Sequence, residues 1–370
     1  MPIANETVLE INLNHLKHNY EYLKSKLKPE TKFLAVVKAF AYGSDAVEIA
    51  RYLQDELNVD YFAVAYVNEG VMLRNAGITA PILVLHPQKA NLEMLIERCL
   101  EPSIYSFYIL NAFLDAAEKN KQTNYPVHIK FNTGLNRLGF ESSETNSLVS
   151  ILKEAPQVKV TSVFSHLAAS EDLNEKDFTL AQIEEFKKIA AQFESEIGFR
   201  PMLHLLNTSG ILNYAAIAQF DMVRSGIGLY GFGNDPNYNQ HLKPIATLKS
   251  VVSQIHNIAP RESVGYNRGF IASEKMKTAT IPIGHADGIG RQYGNGNGFV
   301  TIHGKKAPIV GNVCMDMLMV NITDIHCHEG DEVILFGQNP NVATFAATAN
   351  TISYELLTAV SQRVKRVVFK

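Results

Sequence analysis

The chain has 370 residues, a formal net charge of −3, and 46% hydrophobic and 19% charged residues. This composition is typical of a globular enzyme, and the length predicts two domains or one large barrel with an appendage. Because no block of like charges occurs, neither nucleic acid nor an anionic membrane is an expected partner. Residues 1–10 lack the apolar core of a signal peptide, and no apolar run is long enough to cross a bilayer. The scattered cysteines Cys99, Cys314 and Cys327 indicate a reducing compartment, so we expect a soluble cytoplasmic protein without a zinc site.

The first 230 residues alternate short apolar strands with amphipathic helices. The predicted strands are Phe33–Val37, Tyr61–Tyr66, Pro81–Leu85, Ser103–Ser106, Val127–Phe131, Val160–Phe164, Met202–Leu206 and Met222–Tyr230. The helical patterns between them include Ala46–Leu53, Leu92–Cys99, Tyr108–Lys119 and Thr179–Glu194. Alternating elements of this kind imply parallel strands joined by crossover helices, and eight repeats predict a (β/α)8 TIM barrel. The alternative, a doubly wound open sheet, would carry a glycine-rich turn after its first strand, and none is found.

The character of the chain changes after Tyr230. Residues 231–237 are rich in glycine, asparagine and proline, which predicts a domain boundary. The strands predicted beyond it are Thr247–His256, Lys277–Pro282, Phe299–Ile302, Ala307–Val310, Met317–Asn321 and Glu332–Phe336, followed by a helix from Thr344 and the apolar segment Val364–Phe369. Short alternating strands separated by turns favour a C-terminal, mostly antiparallel β domain. We therefore predict a barrel over residues 10–232, and a β domain over residues 1–9 and 233–370.

Lys38 stands alone at the end of the first predicted barrel strand, directly after five apolar residues. Desolvation of a lysine at such a position disfavours the ammonium form and turns the side chain into an amine nucleophile. Taken alone, a lysine whose stem packs while its charge reaches solvent is the commoner case. Active sites of this barrel fold lie at the carboxyl ends of the strands, so the residues that follow the other strands test the interpretation.

Most of the other predicted strands carry polar residues near their carboxyl ends or are followed by them. These polar residues are His86, Tyr105, Lys130 with Arg137, Ser165 with His166, Asn207 to Gly210, and Arg224 with Ser225 to Gly228. The ends of the seventh and eighth strands often bind phosphate in this fold, and Thr208, Ser209, Gly226 and Ile227 offer hydroxyls and accessible amides there. An amine beside a phosphate site predicts pyridoxal phosphate as the cofactor. A metal hydrolase that uses His86, His166 and His204 is an alternative, but no His-x-His spacing supports it.

The chain closely resembles the alanine racemase family over essentially its whole length. The ordered motifs that carry the resemblance are Val37 to Gly43, Lys130 to Phe140, Phe164 to Ala168, Met222 to Ile227, Val264 to Tyr266, Pro282 to Gly288 and Cys314 to Asp316. The family consists of pyridoxal-phosphate enzymes with a (β/α)8 barrel followed by a β domain. The resemblance implies interconversion of L- and D-alanine, which in bacteria supplies D-alanine for the peptidoglycan of the cell wall.

The resemblance also implies roles for individual residues. Lys38 is similar to the lysine that holds the cofactor and acts as one of two catalytic bases. The implied cofactor contacts are Tyr42, Arg137, His166, Asn207, Thr208, Arg224, Gly226, Ile227 and Tyr354. Lys130 matches a lysine that is carbamylated in many members, where the added carboxylate orients the arginine that is similar to Arg137.

Three residues of the predicted β domain complete the implied site. Tyr266 is similar to the second base, and Met315 and Asp316, together with Arg137, are similar to residues that guide the substrate. In the family, Tyr266, Met315 and Asp316 correspond to residues of the other subunit, so the resemblance implies a head-to-tail homodimer with composite active sites. Two bases suit the chemistry, because racemisation removes a proton from one face of the Cα atom and delivers one to the other. Arg224 stays protonated and cannot accept the pyridine proton, which keeps the ring nitrogen neutral.

The sequence departs from the family pattern at several positions. His285 stands where a tyrosine is common, and we expect altered access or pH dependence rather than loss of activity. Asn132 replaces a frequent aspartate near Lys130, and Asn267 with Arg268 are unusual neighbours of Tyr266.

Three alternative functions stay open: a broader amino-acid racemase, a decarboxylase of the same fold, and a non-catalytic pyridoxal-phosphate-binding protein. The glycine-triplet phosphate loop that is typical of the decarboxylases is absent from this sequence.

Overall fold

The structure, a computed structural model, describes residues 5–370. Residues 1–4, which belong to the segment predicted to lack a signal peptide and to the predicted range 1–9, lie outside the described residues. The described chain begins with β1 (Val8–Asn12) and α1 (Leu13–Lys24). It divides into two compact units. The barrel unit comprises Lys17–Ala41 and Ala46–Lys243, and the β unit comprises the chain up to Leu16, Tyr42–Asp45 and Pro244–Lys370.

Parallel strands form a closed barrel in the barrel unit, as predicted. The strands are β2 (Lys32–Val36), β3 (Tyr61–Val64), β4 (Ile82–Val84), β5 (Glu101–Ile104), β6 (Tyr125–Lys130), β7 (Val158–Phe164), β8 (Met202–His204) and β9 (Met222–Ser225). The barrel closes where β2 pairs in parallel with β9, with Lys32 opposite Met222. Strands such as β3 are buried along their whole length, which explains why they read as unbroken apolar runs.

Helices follow the strands of the barrel. They are α2 (Lys38–Gly43), α3 (Ala46–Asp55), α4 (Val67–Asn75), α5 (Leu92–Glu97), α6 (Phe107–Lys119), α7 (Thr145–Lys153), α8 (Lys176–Ile197), α9 (Thr208–Ala218) and α10 (Pro236–Asn239). The amphipathic pattern of α6 is typical: Ile109, Leu110 and Phe113 are buried on one face. Amphipathic helices such as α6 pack their apolar faces on the barrel and leave the carboxyl ends of the strands to carry the polar residues.

The β unit is mostly antiparallel, as predicted. Its further elements are β10 (Ala246–Val251), β11 (Gln254–Ile258), β12 (Ser263–Val264), β13 (Phe270–Ile271), β14 (Met276–Ile281), β15 (Phe299–Ile302), β16 (Lys305–Val310), β17 (Leu318–Asn321), β18 (Glu332–Phe336), α11 (Val342–Ala347), α12 (Ser353–Ala359) and β19 (Lys365–Phe369). In the part of the chain that the structure describes, nine strands form one sheet in the order β11-β14-β17-β16-β15-β18-β10-β1-β19. The pair of β1 and β19 is parallel, because the two ends of the chain run side by side.

Several predicted elements differ in extent from the observed ones, and three differ most. The strand predicted over Met222–Tyr230 ends at Ser225, since residues 226–231 form a tight turn closed by Leu229 N–H donating to the Gly226 carbonyl. The strand predicted over Thr247–His256 is two strands, β10 and β11, which pair with different neighbours. The helix predicted from Thr344 is two helices, α11 and α12. Between residues 5 and 370, no helix combines the length and apolarity that a bilayer-spanning segment needs.

Candidate functional site

Lys38 begins an unusual turn directly after β2. Residues Ala39 to Tyr42 all have φ between 52° and 55°, and Gly43 has φ of 80°, so α2 is a left-handed helical turn. Left-handed backbone costs L-residues roughly 1–2 kcal/mol each and is rarely found in consecutive positions. A Cβ atom at Gly43 would lie 1.9 Å from the carbonyl oxygen of Leu357, so only glycine fits there. Strain of this kind is typical of functional sites.

Glu69 holds the start of this turn, and sequence reasoning did not identify it. Its Oε1 accepts a hydrogen bond from the backbone N–H of Ala39 at 2.5 Å. Its Oε2 accepts from the N–H groups of Ala65, at 2.7 Å, and Tyr66, at 3.1 Å, where α4 begins. One carboxylate therefore ties the turn after β2 to the end of β3. A glutamate three residues after a strand end was the available signal, but it indicated only a helix start.

The two lysines of the rim are both desolvated. Burial lowers the pKa of Lys38, the positive charge of Arg137 lowers it further, and Glu69 opposes the shift. Burial, followed by the charges of Arg137, Arg224 and Lys38, lowers the pKa of Lys130 to about 8. The rim of the barrel is thus a cluster of cations, which favours an anionic ligand and increases the neutral fraction of both amines.

Arg137 lies on a loop that Asn132 organises from within. The Asn132 Oδ1 accepts hydrogen bonds from the N–H groups of Gly134, at 3.1 Å, and Asn136, at 3.0 Å. Its Nδ2 donates to the side chains of Asn136 at 2.9 Å and Glu141 at 3.0 Å. An aspartate here would lack the two donors and would face the Glu141 carboxylate. The amide at this departure from the family pattern therefore suits the loop that it holds.

Arg224 is buried beneath the rim and makes four hydrogen bonds. Its Nη2 donates to the carbonyl oxygens of Ser165, at 2.7 Å, and Leu205, at 2.9 Å, and to Nδ1 of His166 at 3.1 Å. Its Nη1 donates to Nδ1 of His204 at 2.7 Å. Burial lowers the pKa of Arg224 to about 9. Burial, followed by the charge of Arg224, also lowers the pKa values of both histidines well below their usual range, which leaves the two rings neutral.

Small polar residues meet at the ends of β8 and β9. Thr208 opens α9, its hydroxyl lies 3.0 Å from that of Ser225, and it accepts from the N–H of Gly228 at 3.1 Å. Asn207 caps the same helix, because its Oδ1 accepts from the Gly210 N–H at 2.8 Å. The backbone N–H groups of Gly226 and Ile227 precede the N–H of Leu229, which closes the following turn by donating to the Gly226 carbonyl. A helix N-terminus beside such a turn is a suitable anion site.

Tyr42 and Tyr354 lie together in the β unit, with ring centroids 6.0 Å apart. Burial, followed by the neighbouring Tyr354, raises the pKa of Tyr42, so its hydroxyl remains a proton donor. The backbone beside Tyr42 is fixed by Arg366, whose Nη2 donates to the Gly43 carbonyl at 2.9 Å and whose Nε donates to the Ser44 carbonyl at 3.2 Å. The two predicted tyrosines thus form one pair of rings.

A groove of about 920 Å³ in the β unit brings together the other predicted residues. Tyr266, Met315 and Asp316 line it, and so does His285. Tyr266 is 75% exposed and Met315 is 58% exposed. Tyr266 lies in a short turn after Gly265, and its carbonyl accepts from the Asn312 side chain at 3.3 Å. An exposed tyrosine and methionine in one groove are typical of a surface that another molecule covers.

Asp316 is held by an arginine that sequence reasoning did not identify. Arg363 Nη2 donates to Asp316 at 2.7 Å and to Asp287 at 3.0 Å, and Arg363 Nε donates to Asp287 at 2.6 Å. The segment is also fixed by its backbone, since Ala286 N–H donates to the Met315 carbonyl at 3.0 Å. Because Asp287 and Arg363 lie far apart in sequence, no local pattern could have predicted this contact.

The histidines of the alternative metal site have other partners. His166 and His204 both accept from Arg224, and the His86 ring lies 5.8 Å from that of Tyr66 and 5.6 Å from that of Tyr105. Over the described residues, no group of three or more histidine, cysteine, aspartate or glutamate side chains is arranged to hold a metal ion.

The barrel is closed and parallel, and its rim carries a desolvated amine, cationic side chains and a helix N-terminus. This combination defines an α/β-barrel enzyme for small anionic ligands. Comparison with known proteins narrows this class. Residues 11–234 match the family described as "Alanine racemase, N-terminal domain", and residues 245–368 match "Alanine racemase, C-terminal domain". The chain belongs to the alanine racemase family.

Individual relatives cover nearly the whole chain. The alanine racemase of Thermodesulfovibrio yellowstonii is 36% identical over an alignment of 365 residues that covers 96% of this chain and 96% of that one. The solved alanine racemase of Clostridium difficile 630 superposes with a TM-score of 0.93 at 33% identity, covering 100% of this chain and 97% of that one. The alanine racemase of Bartonella henselae, solved with covalently bound pyridoxal phosphate, has a TM-score of 0.88 at 29% identity, covering 99% and 100%.

Proposed function

We propose that this chain interconverts L- and D-alanine with pyridoxal phosphate bound covalently to Lys38. The observation that carries the proposal is the state of the Lys38 amine, which burial and Arg137 shift toward the neutral, nucleophilic form. Membership in the alanine racemase family and the covalently bound pyridoxal phosphate of the Bartonella henselae relative support the same conclusion.

The residues of the rim fit this cofactor. The N-terminus of α9 and the amides of Gly226 and Ile227 supply donors for a phosphate, with the Thr208 hydroxyl beside them. A Cβ atom at Gly228 would lie 2.6 Å from the Thr208 side chain, so this close approach depends on glycine. Arg224 is a donor only, which suits an unprotonated pyridine nitrogen. We propose Arg137, His166, Asn207, Tyr42 and Tyr354 as further cofactor contacts.

The bound cofactor withdraws electrons from the substrate Cα atom and so makes its proton removable. Once the substrate amino group has displaced Lys38 from the cofactor, the freed Lys38 amine, whose pKa burial lowers, would take or return that proton on one face. We propose that Tyr266 of a second copy of the chain acts on the opposite face. Two opposed bases explain why the product has either configuration, since each base delivers its proton to the face from which it approaches.

We further propose a head-to-tail homodimer. The exposure of Tyr266 and Met315 in one groove supports it, because a second copy would cover both side chains. Met315 and Asp316 of that copy, together with Arg137, would then line the path of the substrate. In functional terms, a cofactor-binding barrel spans residues 10–232, and a β domain of residues 1–9 and 233–370 serves the partner's site. A cytoplasmic location and a supply of D-alanine for the cell wall belong to the same proposal.

Lys130 is a proposed site of carbamylation. A pKa of about 8 leaves an appreciable neutral fraction, which can add carbon dioxide and release a proton. The resulting carboxylate would offset the positive charges that surround the amine. After equilibration with 13C-bicarbonate, a carbamate 13C signal is expected that is lost in Lys130→Ala. A wild-type spectrum without that signal would contradict the modification.

The experiment that tests the proposed function is exchange of the alanine Cα proton in deuterium oxide, followed by NMR, with serine and lysine as comparison substrates. Lys38→Ala should lose both the exchange and the visible absorbance of the bound cofactor. The matched control is Lys32→Ala, which removes an exposed lysine at the other end of β2 and should change neither. Absence of exchange with every amino acid, together with a retained visible band, would contradict the racemase and favour a cofactor-binding protein.

A further inference from the structure

A row of buried polar side chains crosses the inside of the barrel, where this fold usually packs branched apolar residues. Five adjacent strands, β5 to β9, contribute one residue each: Glu101, His128, Ser162, His204 and Arg224. His128, Ser162 and His204 are fully buried, and Arg224 is 4% exposed. Glu101 opens β5 at the end of the barrel opposite the rim. The row therefore joins the far end of the barrel to the cationic site.

Each neighbouring pair in this row is within hydrogen-bond distance. Glu101 Oε2 lies 2.6 Å from His128 Nε2, and His128 Nδ1 lies 2.6 Å from Ser162 Oγ. Ser162 Oγ lies 2.9 Å from His204 Nε2, and His204 Nδ1 lies 2.7 Å from Arg224 Nη1. His128 and Ser162 are also direct register partners of β6 and β7. Four consecutive short contacts form a continuous chain rather than isolated pairs.

The chemistry of the groups sets the direction of this chain. Arg224 can only donate, so His204 Nδ1 must accept and its proton must sit on Nε2. That Nε2–H donates to Ser162. The single hydroxyl hydrogen of Ser162 then donates to His128 Nδ1, and the His128 Nε2–H donates to the Glu101 carboxylate. In this arrangement, every donor has an acceptor, and a positive group and a negative group terminate the chain.

The imidazole of His204 is additionally fixed by packing. The imidazole stacks on the Phe164 ring, with the two centroids 4.7 Å apart and an angle of 5° between the ring planes. The Arg224 guanidinium lies 5.3 Å from the centroid of the Phe164 ring. Stacking sets the plane of the imidazole but not which nitrogen carries the proton. Among the described residues, the four hydrogen-bond partners of Arg224 are two carbonyls and two imidazoles, and none is a carboxylate.

We propose that Glu101, His128 and Ser162 are positioning residues, which stabilise the His204 tautomer that Arg224 requires by providing an acceptor chain for its Nε2 proton, and thereby help to hold the Arg224 guanidinium at the rim. The negative terminus of the chain favours the direction in which protons point away from Arg224 and toward Glu101. The consequence for catalysis rests on the proposed function. The tautomer itself is a property of the folded barrel.

The test uses holoprotein labelled with 15N-histidine, in which two-bond 1H–15N correlations report which ring nitrogen carries the proton. His204 is assigned through its contact with Phe164. In the wild type, its proton is expected on Nε2 and protected from solvent exchange. In Ser162→Ala this N–H loses its acceptor, so its exchange should quicken, and kcat should fall on the order of tenfold with little change in KM for alanine.

Ser103→Ala is the matched control. Ser103 is a fully buried serine of β5 whose hydroxyl has no hydrogen-bond partner, so its loss should leave the His204 signals and kcat unchanged. Glu101→Gln keeps an acceptor oxygen but removes the charge. It should quicken the exchange of the His204 N–H and lower kcat, as Ser162→Ala does, but to a smaller extent. If Ser162→Ala does not fold, Glu101→Gln decides the question.

Two results would overturn the proposal. In one, Ser162→Ala has the same rate of His204 N–H exchange and the same kcat as Ser103→Ala. In the other, kcat falls while the His204 proton stays on Nε2 with unchanged exchange, which would separate activity from the tautomer. A wild type without racemisation would contradict the proposed function but not the chain, because the histidine spectrum would still report its direction.

Discussion

The barrel rim and the groove of the β unit differ in how their functional side chains are held. At the rim, Arg224 is buried with four hydrogen bonds, and Glu69 fixes the turn that carries Lys38. In the groove, the Tyr266 and Met315 side chains are mostly exposed, although the Tyr266 carbonyl accepts from Asn312 and the Asp316 side chain is held by Arg363. The rim is preorganised by its own unit, whereas the groove presents reactive and apolar groups to solvent. Substitutions at the rim should therefore cost stability, and substitutions in the groove should cost activity alone.

Among substitutions in the groove, Tyr266→Phe should have the largest effect on activity, and it separates the two regions most clearly. Loss of a general acid or base lowers a rate by on the order of 10²–10³-fold. Because the side chain is 75% exposed, the free energy of unfolding should change by less than about 0.5 kcal/mol. Racemisation rates and urea denaturation measure the two quantities. Tyr108→Phe, at 66% exposure on α6, is the control, and a Tyr266→Phe rate within threefold of that control would exclude Tyr266 as a base.

Arg224→Lys should have the largest effect on stability. A lysine nitrogen cannot satisfy two carbonyls and two imidazoles at once, so buried acceptors are left unpaired, at a cost of about 3 kcal/mol of unfolding free energy. Arg200→Lys alters an exposed ion pair with Asp221 and should cost less than about 1 kcal/mol. Chemical denaturation of both variants measures the unfolding free energy that each has lost. Equal losses would mean that the rim is not held by Arg224.

Glu69→Gln tests the electrostatics of the rim. The Glu69 carboxylate raises the pKa of Lys38, against burial and Arg137, so its removal should lower that pKa further. Lys38, which also faces Lys130 and His166, then becomes neutral and reactive at lower pH. The pH midpoint of Lys38 acetylation in cofactor-free protein, followed by mass spectrometry, should move down. Glu93→Gln, which removes an exposed partner of Lys119, should not move it, and an upward shift in Glu69→Gln would refute the assignment.

Arg363→Gln should have the smallest effect and refines the description of the groove. Losing the bonds to Asp287 and Asp316 frees the segment that carries Met315, so KM for alanine should rise by roughly threefold while kcat is retained. The ion pairs are partly exposed, so stability should fall only slightly. Lys365→Gln breaks an exposed pair with Glu6 and is the control. A fall in kcat without a change in KM would place Arg363 in a different role.

The sequence predicted the barrel and the β domain because both depend on local patterns, and the roles of the rim residues stay predictions. Buried parallel strands read as apolar runs, and a lysine after such a run, as at Lys38, is conspicuous. Sequence reasoning missed the turn at residues 226–231, because Ile227, Leu229 and Tyr230 continue the apolar pattern of β9. The contacts of Arg363 with Asp287 and of Glu101 with His128 join distant segments, and only the folded chain brings them together. His128 and Ser162 were visible as polar residues inside apolar strands, but no local rule linked them.

The central claim is that one active site combines Lys38 of one copy with Tyr266 of another. Mixing inactive Lys38→Ala and Tyr266→Phe proteins under conditions that exchange subunits tests it, because a hybrid dimer would hold one site with both intact residues. Random mixing makes half of the dimers hybrid, each with one of its two sites intact, so about a quarter of the wild-type racemisation rate is expected. If both bases came from the same copy, every site would lack one of them. The mixture would then be no more active than its two components, and the composite site would be contradicted.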